Sequence, residues 1–185
     1  MGAELDHVFV LTEVGAPGAT RLCDLGLTEG SSNAHPGQGT ACRRFFFGNA
    51  MLELLWVEHE QAVRAGGVRR TGLWQRWIGR CGAGCPFGIC TRPTDATGQP
   101  PFTTWDYRPP YLPASRSIAM ARSSARAIEP LLFHLPFGRR PDRVPTTRRE
   151  PLAHPLGCRQ MTRLRLCSPH AHAPPARCAR WWLPV

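Results

Sequence analysis

The sequence contains no lysine, so every one of its 23 basic side chains is an arginine. These arginines are unevenly placed. Residues 1–92 hold 9 of them against 8 acidic residues, whereas residues 93–185 hold 14 against 5. A basic half favours nucleic-acid binding when it forms a basic helix or alternates with stacking aromatic residues. Here the arginines stand as isolated pairs among prolines, so the charge pattern argues against a nucleic-acid partner.

Long apolar runs and an N-terminal targeting signal are also missing. No stretch reaches the roughly 18 apolar residues that a membrane helix needs. Residues 1–6 carry neither a basic start nor a small-residue cleavage pattern. We therefore expect a soluble, cytoplasmic protein without a membrane partner. In that compartment the eight cysteines are expected to remain reduced.

Motifs that would assign a reaction directly are absent. The chain has no P-loop, no dinucleotide-binding glycine pattern and no serine nucleophile elbow. The cysteines and histidines between Cys167 and Cys178 lack the spacing of a zinc site. The 19 prolines and 18 glycines instead predict many turns and irregular connections within one ordinary domain.

What the sequence does contain is an ordered series of strands and one helix near its start. Residues 5–11 form an apolar run rich in β-formers, which predicts a strand. Residues 19–27 predict a helix, and Gly26 is a suitable place for it to stop. Residues 42–47 and 51–57 predict two strands of a hairpin.

Two polar residues stand inside these apolar strands. The first strand reads Leu5-Asp6-His7-Val8 and the last reads Met51-Leu52-Glu53-Leu54. With the order strand, helix, strand, strand, strand, they resemble the βαβββ module of the vicinal-oxygen-chelate superfamily. Stretches further along resemble a branch of uncharacterised glyoxalase-like proteins of bacterial type: residues 43–57, 86–90, 108–113 and 131–141. The resemblance covers residues 4–166 and implies an α+β fold.

The superfamily resemblance implies a site. Its members pair two modules around a cleft, and metal-dependent members draw ligands, often His and Glu, from the first and last strands of each module. Those positions fall on His7 and Glu53, which are expected on neighbouring strands and on the same concave side. An imidazole and a carboxylate together suit a divalent transition metal. Such a metal can chelate two neighbouring substrate oxygens.

The second module departs from this pattern. We expect a first module at 4–57, intervening strands and loops at 86–135, and the start of a partial second module at 158–166. Alternation of apolar residues with arginines predicts a strand over Gln160–Leu166, and aligning it with the first strand puts Arg163 where His7 stands. Arginine cannot donate a lone pair to a metal. The remainder, 167–185, has no period and is interpreted as an irregular, aberrant tail.

Three functions remain open on this reading. The first is a lyase, isomerase or dioxygenase acting on a small oxygenated molecule at His7 and Glu53. The second is a metal-free protein that sequesters a small ligand, with Phe45, Phe47, Trp56 and Arg163 as ligand-binding candidates. The third is a non-functional truncated homologue. The cofactor is unknown; the loss of a ligand at Arg163 favours no metal over a divalent one. An unfinished module would expose strand edges that a homodimer could cover.

Overall fold

A computed structural model describes residues 2–167 and places eight strands in one sheet. The strands are β1 Ala3–Leu11, β2 Asn33–His35, β3 Thr40–Phe46, β4 Met51–Val57, β5 Phe87–Pro93, β6 Thr104–Tyr107, β7 Ile118–Ala121 and β8 Leu131–His134. The helices are α1 Gly18–Asp24, α2 Glu60–Val63, α3 Gly66–Arg69 and α4 Leu73–Ile78. Three short 3₁₀ turns follow at Arg122–Ala125, Pro141–Arg143 and Thr146–Arg148.

The sheet is built from two halves with the same strand order. Its full order is β2-β3-β4-β1-β5-β8-β7-β6. β1 runs parallel to β4 in the first half, and β5 runs parallel to β8 in the second. The two halves meet where β1 and β5 pair antiparallel. The first half is therefore the βαβββ module that the sequence predicts, and the fold is α+β of the glyoxalase type.

The second half of the sheet lies at a different place in the sequence from the second module that was expected. Its four strands occupy residues 87–134, where the sequence analysis had put intervening strands. Residues 94–103 connect β5 to β6, as the segment that contains α1 connects β1 to β2, but they contain no helix. No strand forms over residues 158–166, so the second half of the sheet does not begin there.

The strand predicted over Gln160–Leu166 does not form. Residues 158–167 are irregular, and the edges of the sheet are β2 and β6. Met161 instead exchanges two hydrogen bonds with the Asn49 side chain, through its backbone N–H and carbonyl. Met161 is thus anchored beside the turn between β3 and β4, and the alternation at 160–166 corresponds to no strand. The remainder of the predicted tail, residues 168–185, lies outside the described residues.

Each face of the sheet has its own apolar cluster. On one face α1 covers a cluster centred on Phe45, Leu54 and Trp56. On the other face α2, α3 and α4 contribute Val63, Val68 and Leu73 to a larger cluster with strand residues of both halves. This second face contains the candidate site and is called the cavity face below. No helix within residues 2–167 is long and apolar enough to cross a membrane.

The central pairing of β1 with β5 depends on a glycine. Gly88 lies opposite Phe9, and a Cβ added to it would lie 2.1 Å from the Phe9 ring. Real carbon atoms cannot approach so closely, so any side chain at this position must displace the ring. The phenyl group of Phe9 thus lies directly across the backbone of the neighbouring strand.

We expect Gly88→Ala to lower the free energy of unfolding by about 1–3 kcal/mol, the usual cost of adding volume to a packed core. Gly82→Ala is the matched control, because a Cβ there meets nothing within 4 Å; it should change stability by less than about 0.5 kcal/mol. Urea unfolding of the three proteins measures both values. Equal stability of the two variants would show that the ring moves freely.

Candidate functional site

A cavity of about 250 Å³ opens on the cavity face. It reaches from β1, β3 and β4 in the first half to β6, β7 and β8 in the second. Its polar lining comes mainly from the first half: Asp6, His7, His35, Gln38, Arg44 and Glu53. Its lining from the strands of the second half is Tyr107, Ile118, Met120, Leu131 and Phe133. The charged lining thus comes from the first half, and the strands of the second half add mainly apolar and aromatic side chains.

His7 and Glu53 lie on neighbouring strands and face this cavity together. In the parallel pairing of β1 with β4, His7 is opposite Met51 and Phe9 is opposite Glu53. Alternate residues of a strand share a face, so the two side chains lie on the same side, two positions apart. Their Nε2 and Oε2 atoms are 3.8 Å apart, and the residues are 7% and 8% exposed. The predicted placement is confirmed, while a role in metal binding stays a prediction.

A bulge in β1 brings a third ionisable group into the site. The register with β5 shifts between Leu5 and His7, so Asp6 and His7 both line the cavity although they are consecutive. Bulges commonly re-aim a side chain in this way. Asp6 Oδ1 lies 2.7 Å from His7 Nδ1. The bond fixes the imidazole ring so that Nε2 faces Glu53.

Arg92 on β5 holds Asp6 in place. It is only 1% exposed, and its NH1 atom lies 3.3 Å from Asp6 Oδ2. Its other nitrogens donate to Glu4 Oε1 at 2.9 Å and to the Asn49 carbonyl at 2.6 Å. The guanidinium thus joins β1, β5 and the turn between β3 and β4. A buried cation with this set of acceptors offsets the cost of burying Asp6.

These charges determine the protonation of the site. Burial alone lowers the pKa of His7, but Cys90, Glu53 and Asp6 raise it, and the net pKa is well above its usual value. Burial raises the pKa of the Cys90 thiol to about 12, so this thiol is neutral at neutral pH and the acidic neighbours of His7 are Asp6 and Glu53. Burial also raises the pKa of Asp6, yet His7 and Arg92 lower it to a net value below its usual one. The acidic groups around His7 thus favour its protonated form, in which both ring nitrogens carry a proton.

A second polar chain lines the wall between β2 and β6. His35 Nδ1 lies 2.9 Å from Thr40 Oγ1, which accepts a hydrogen bond from Gln38 Nε2 at 2.8 Å. The Tyr107 hydroxyl donates to Gln38 Oε1 at 2.9 Å. Burial lowers the pKa of His35, so this imidazole stays neutral. Sequence reasoning missed these residues, since no spacing or motif links the polar stretch before β3 to a tyrosine nearly 70 positions later.

The predicted ligand-binding residues do not line the cavity. Phe45, Phe47 and Trp56 belong to the cluster beneath α1 on the opposite face. The reason is strand alternation: Glu53 and Leu55 face the cavity, so Leu54 and Trp56 face away. Arg163 is exposed in an irregular segment and is not among the residues that line the cavity. None of these four residues therefore lines this cavity, and their role in ligand binding stays a prediction.

The candidate metal donors lie on three neighbouring strands: Asp6 and His7 on β1, Glu53 on β4 and Cys90 on β5. Asp6, His7 and Cys90 offer three donor atoms within 4.8 Å of one another. Asp6 is held by Arg92, and burial raises the pKa of the Cys90 thiol to about 12, so a metal at these atoms would have to displace a cation and a proton. On the cavity face, β8 contributes Leu131 and Phe133 rather than His or Glu. A four-donor set drawn from both halves is therefore not formed by these side chains.

Arg92→Met tests the support of the site. The change leaves Asp6 buried without its cation, and we expect a loss of about 3–5 kcal/mol in the free energy of unfolding. Arg64→Gln is the control, because Arg64 pairs with Glu60 at the surface and should matter by less than about 0.5 kcal/mol. Chemical denaturation gives both values, and a small effect at Arg92 would contradict the structural role assigned to it.

The lowered pKa of Asp6 also predicts a dependence of stability on pH. A carboxyl whose pKa is lower in the folded protein stabilises it above the unfolded pKa of about 3.9. That contribution is lost as the pH falls through the folded value. The stability difference between the wild type and Asp6→Asn should therefore shrink as the pH is lowered from about 5.5 to about 2.5. Urea titrations across this range measure it, and a constant difference would refute the assignment.

Comparison with known proteins places the chain in a family. A family model described as a glyoxalase-like domain matches residues 5–182. A hypothetical protein from Staphylococcus aureus has a similar solved structure, with a TM-score of 0.42 and 13% sequence identity, over 73% of this chain and 59% of that one. The chain thus spans less than two thirds of that structure, and no curated protein matches it. Because the family model covers nearly the whole sequence, the protein belongs to the family of glyoxalase-like domain proteins.

Proposed function

We propose that the protein binds a small oxygenated molecule in the 250 Å³ cavity and does so without a metal ion. The observation that carries this proposal is the asymmetry of the cavity. Its Asp, Glu, His and Arg side chains all come from the first half of the sheet, while the strands of the second half offer mainly apolar and aromatic side chains. Small-molecule sites commonly combine an apolar wall with a few placed polar groups.

The polar end supports a ligand with two neighbouring oxygens. His7 Nε2 carries a proton to donate, and Glu53 has carboxylate oxygens that accept. The 3.8 Å between these atoms is longer than a hydrogen bond, so each retains bonding capacity for a ligand. A carbonyl oxygen would accept from His7 while an adjacent hydroxyl donates to Glu53. An α-hydroxy ketone presents this pair of groups.

The apolar end supports a hydrophobic ligand body. Phe9, Leu73, Tyr111 and Phe133 surround this part of the cavity, and burying an apolar group against them is favourable by about 25 cal/mol per Å². The volume is below the roughly 300–1,000 Å³ of most drug-sized pockets. The site therefore suits a molecule of about one aromatic ring and a short polar substituent.

The pairing of a carbonyl with a neighbouring hydroxyl leads to a direct test with 2-hydroxyacetophenone and acetophenone, which differ by the hydroxyl group alone. Calorimetric titration in EDTA should show tighter binding of the hydroxy ketone to the wild type. Glu53→Gln should weaken its binding by about tenfold, because hydrogen bonds to charged groups contribute about 1.5–3 kcal/mol. Acetophenone should be affected little.

Glu58→Gln is the matched control, since Glu58 is exposed just beyond β4 and should leave both affinities unchanged. Binding that requires added Zn²⁺ or Mn²⁺ would contradict the metal-free proposal. Equal affinity of wild type and Glu53→Gln for the hydroxy ketone would remove Glu53 from the site.

A second candidate function is proton transfer on the same ligand. The buried carboxylate of Glu53 lies beside a donor, His7, that can stabilise an enolate oxygen. In this step Glu53 removes a proton from the carbon next to the carbonyl, and the electron pair moves to the carbonyl oxygen. Exchange of the methylene protons of 2-hydroxyacetophenone in D₂O, followed by NMR, should be accelerated by the wild type and not by Glu53→Gln. Exchange at the uncatalysed rate with bound ligand would leave binding as the function.

A further inference from the structure

A second cavity, of about 170 Å³, lies beside the first at the β6 edge of the sheet. Thr71, Met120 and Leu131 line both cavities. Its other lining residues include Arg70 and Arg122, which are both exposed at the surface, Trp105 on β6 and the 3₁₀ turn that begins at Arg122. It therefore has two guanidinium groups and an indole at its boundary, a composition that the first cavity lacks.

Both arginines retain unused hydrogen-bonding capacity. The Arg70 guanidinium lies 4.1 Å from the centroid of the Trp105 ring. This stacking contact uses the face of the guanidinium, so the N–H groups in its plane stay free to donate. Arg122 donates from Nε to the Thr104 carbonyl at 3.0 Å, which anchors the side chain by its inner nitrogen. Within residues 2–167 neither arginine forms an ion pair, although ten such pairs are found there.

Nearby carboxylates do not neutralise this cavity. Asp106 follows Trp105 on β6, so strand alternation directs it to the opposite face of the sheet. Glu129 pairs with Arg126, 3.7 Å away. No acidic residue lines the cavity. Two unpaired positive charges about a small cavity create a positive potential that favours an anion.

We propose that this second cavity is an anion site that binds the carboxylate or phosphate group of a small molecule through Arg70 and Arg122. Arginine is suited to both groups because its planar fork donates two parallel hydrogen bonds. Trp105 keeps Arg70 in position by stacking, and the backbone of Thr104 does the same for Arg122. The proposal is independent of the ligand in the first cavity.

Titration with inorganic phosphate and with sodium acetate tests the site. The indole N–H signal of Trp105, assigned by its loss in Trp105→Phe, should shift saturably in an NMR titration at constant ionic strength. Arg70→Gln and Arg122→Gln should each weaken the binding by about tenfold. Arg69→Gln is the matched control, because Arg69 is exposed and does not line the cavity, and it should bind as the wild type does.

The two anions distinguish the ligand groups. Tighter binding of phosphate identifies a phosphorylated ligand, and equal or tighter binding of acetate identifies a carboxylate. Arg70→Lys, which keeps the charge but loses the fork, should give an intermediate affinity. A shift that does not saturate, or one that is the same in Arg69→Gln and Arg70→Gln, would overturn the proposal. Neither result bears on binding of 2-hydroxyacetophenone, so the two proposals fail separately.

Discussion

The buried guanidinium of Arg92 is the interaction on which the site depends. It sits where the two halves of the sheet meet and joins Glu4, Asp6 and the Asn49 carbonyl. Without this cation the bulged Asp6 would be a carboxylate buried beside only one partner, His7. Since Asp6 in turn orients His7, a single residue of the second half fixes the polar end of a cavity built by the first. Arg140 extends the chain of charges outward, because it lies 3.6 Å from Glu4 and also pairs with Asp142.

The two halves share a strand order but differ in chemistry. The charged side chains that line the cavity come from the first half, and the strands of the second half line it mainly with apolar and aromatic groups; Arg92 of β5 is buried but does not line the cavity. Even the histidine of β8 follows this division, since His134 faces the other side of the sheet and lies 2.9 Å from Thr91 Oγ1. Two halves with the same strand order thus line one cavity with different side chains.

The sequence predicts the first half well and the second half poorly, for physical reasons. β1 and β4 are long and apolar, so a polar residue within either strand stands out, and His7 and Glu53 could be found. Strands β6, β7 and β8 have four residues each, too few for a period to identify them as one module. Since no helix lies between β5 and β6, the sequence there has no helical period that would mark a second module. The alternation of apolar residues and arginines at 160–166 is the clearer pattern, and it predicts a start for that module where no strand forms.

Other parts of the site depend on geometry that composition does not encode. The bulge at Asp6 is visible only in the register with β5, because the sequence Leu5-Asp6-His7 reads as an ordinary strand. Phe45 and Trp56 were misassigned although alternation from Glu53 would have placed Trp56 on the other face. Arg92 gave no signal, since its three acceptors are distant in sequence and an arginine in a short strand ordinarily faces water.

The contact between Phe9 and Gly88 has a consequence for selectivity. Phe9 is both a wall of the cavity and the ring that lies across Gly88. The position of the Phe9 ring therefore depends on the absence of a side chain at Gly88 on the opposing strand. A larger residue there would move the ring, and the space for a guest would change without alteration of any polar contact. The size of the molecules that fit the cavity therefore depends on the residue at position 88, although this residue does not itself line the cavity.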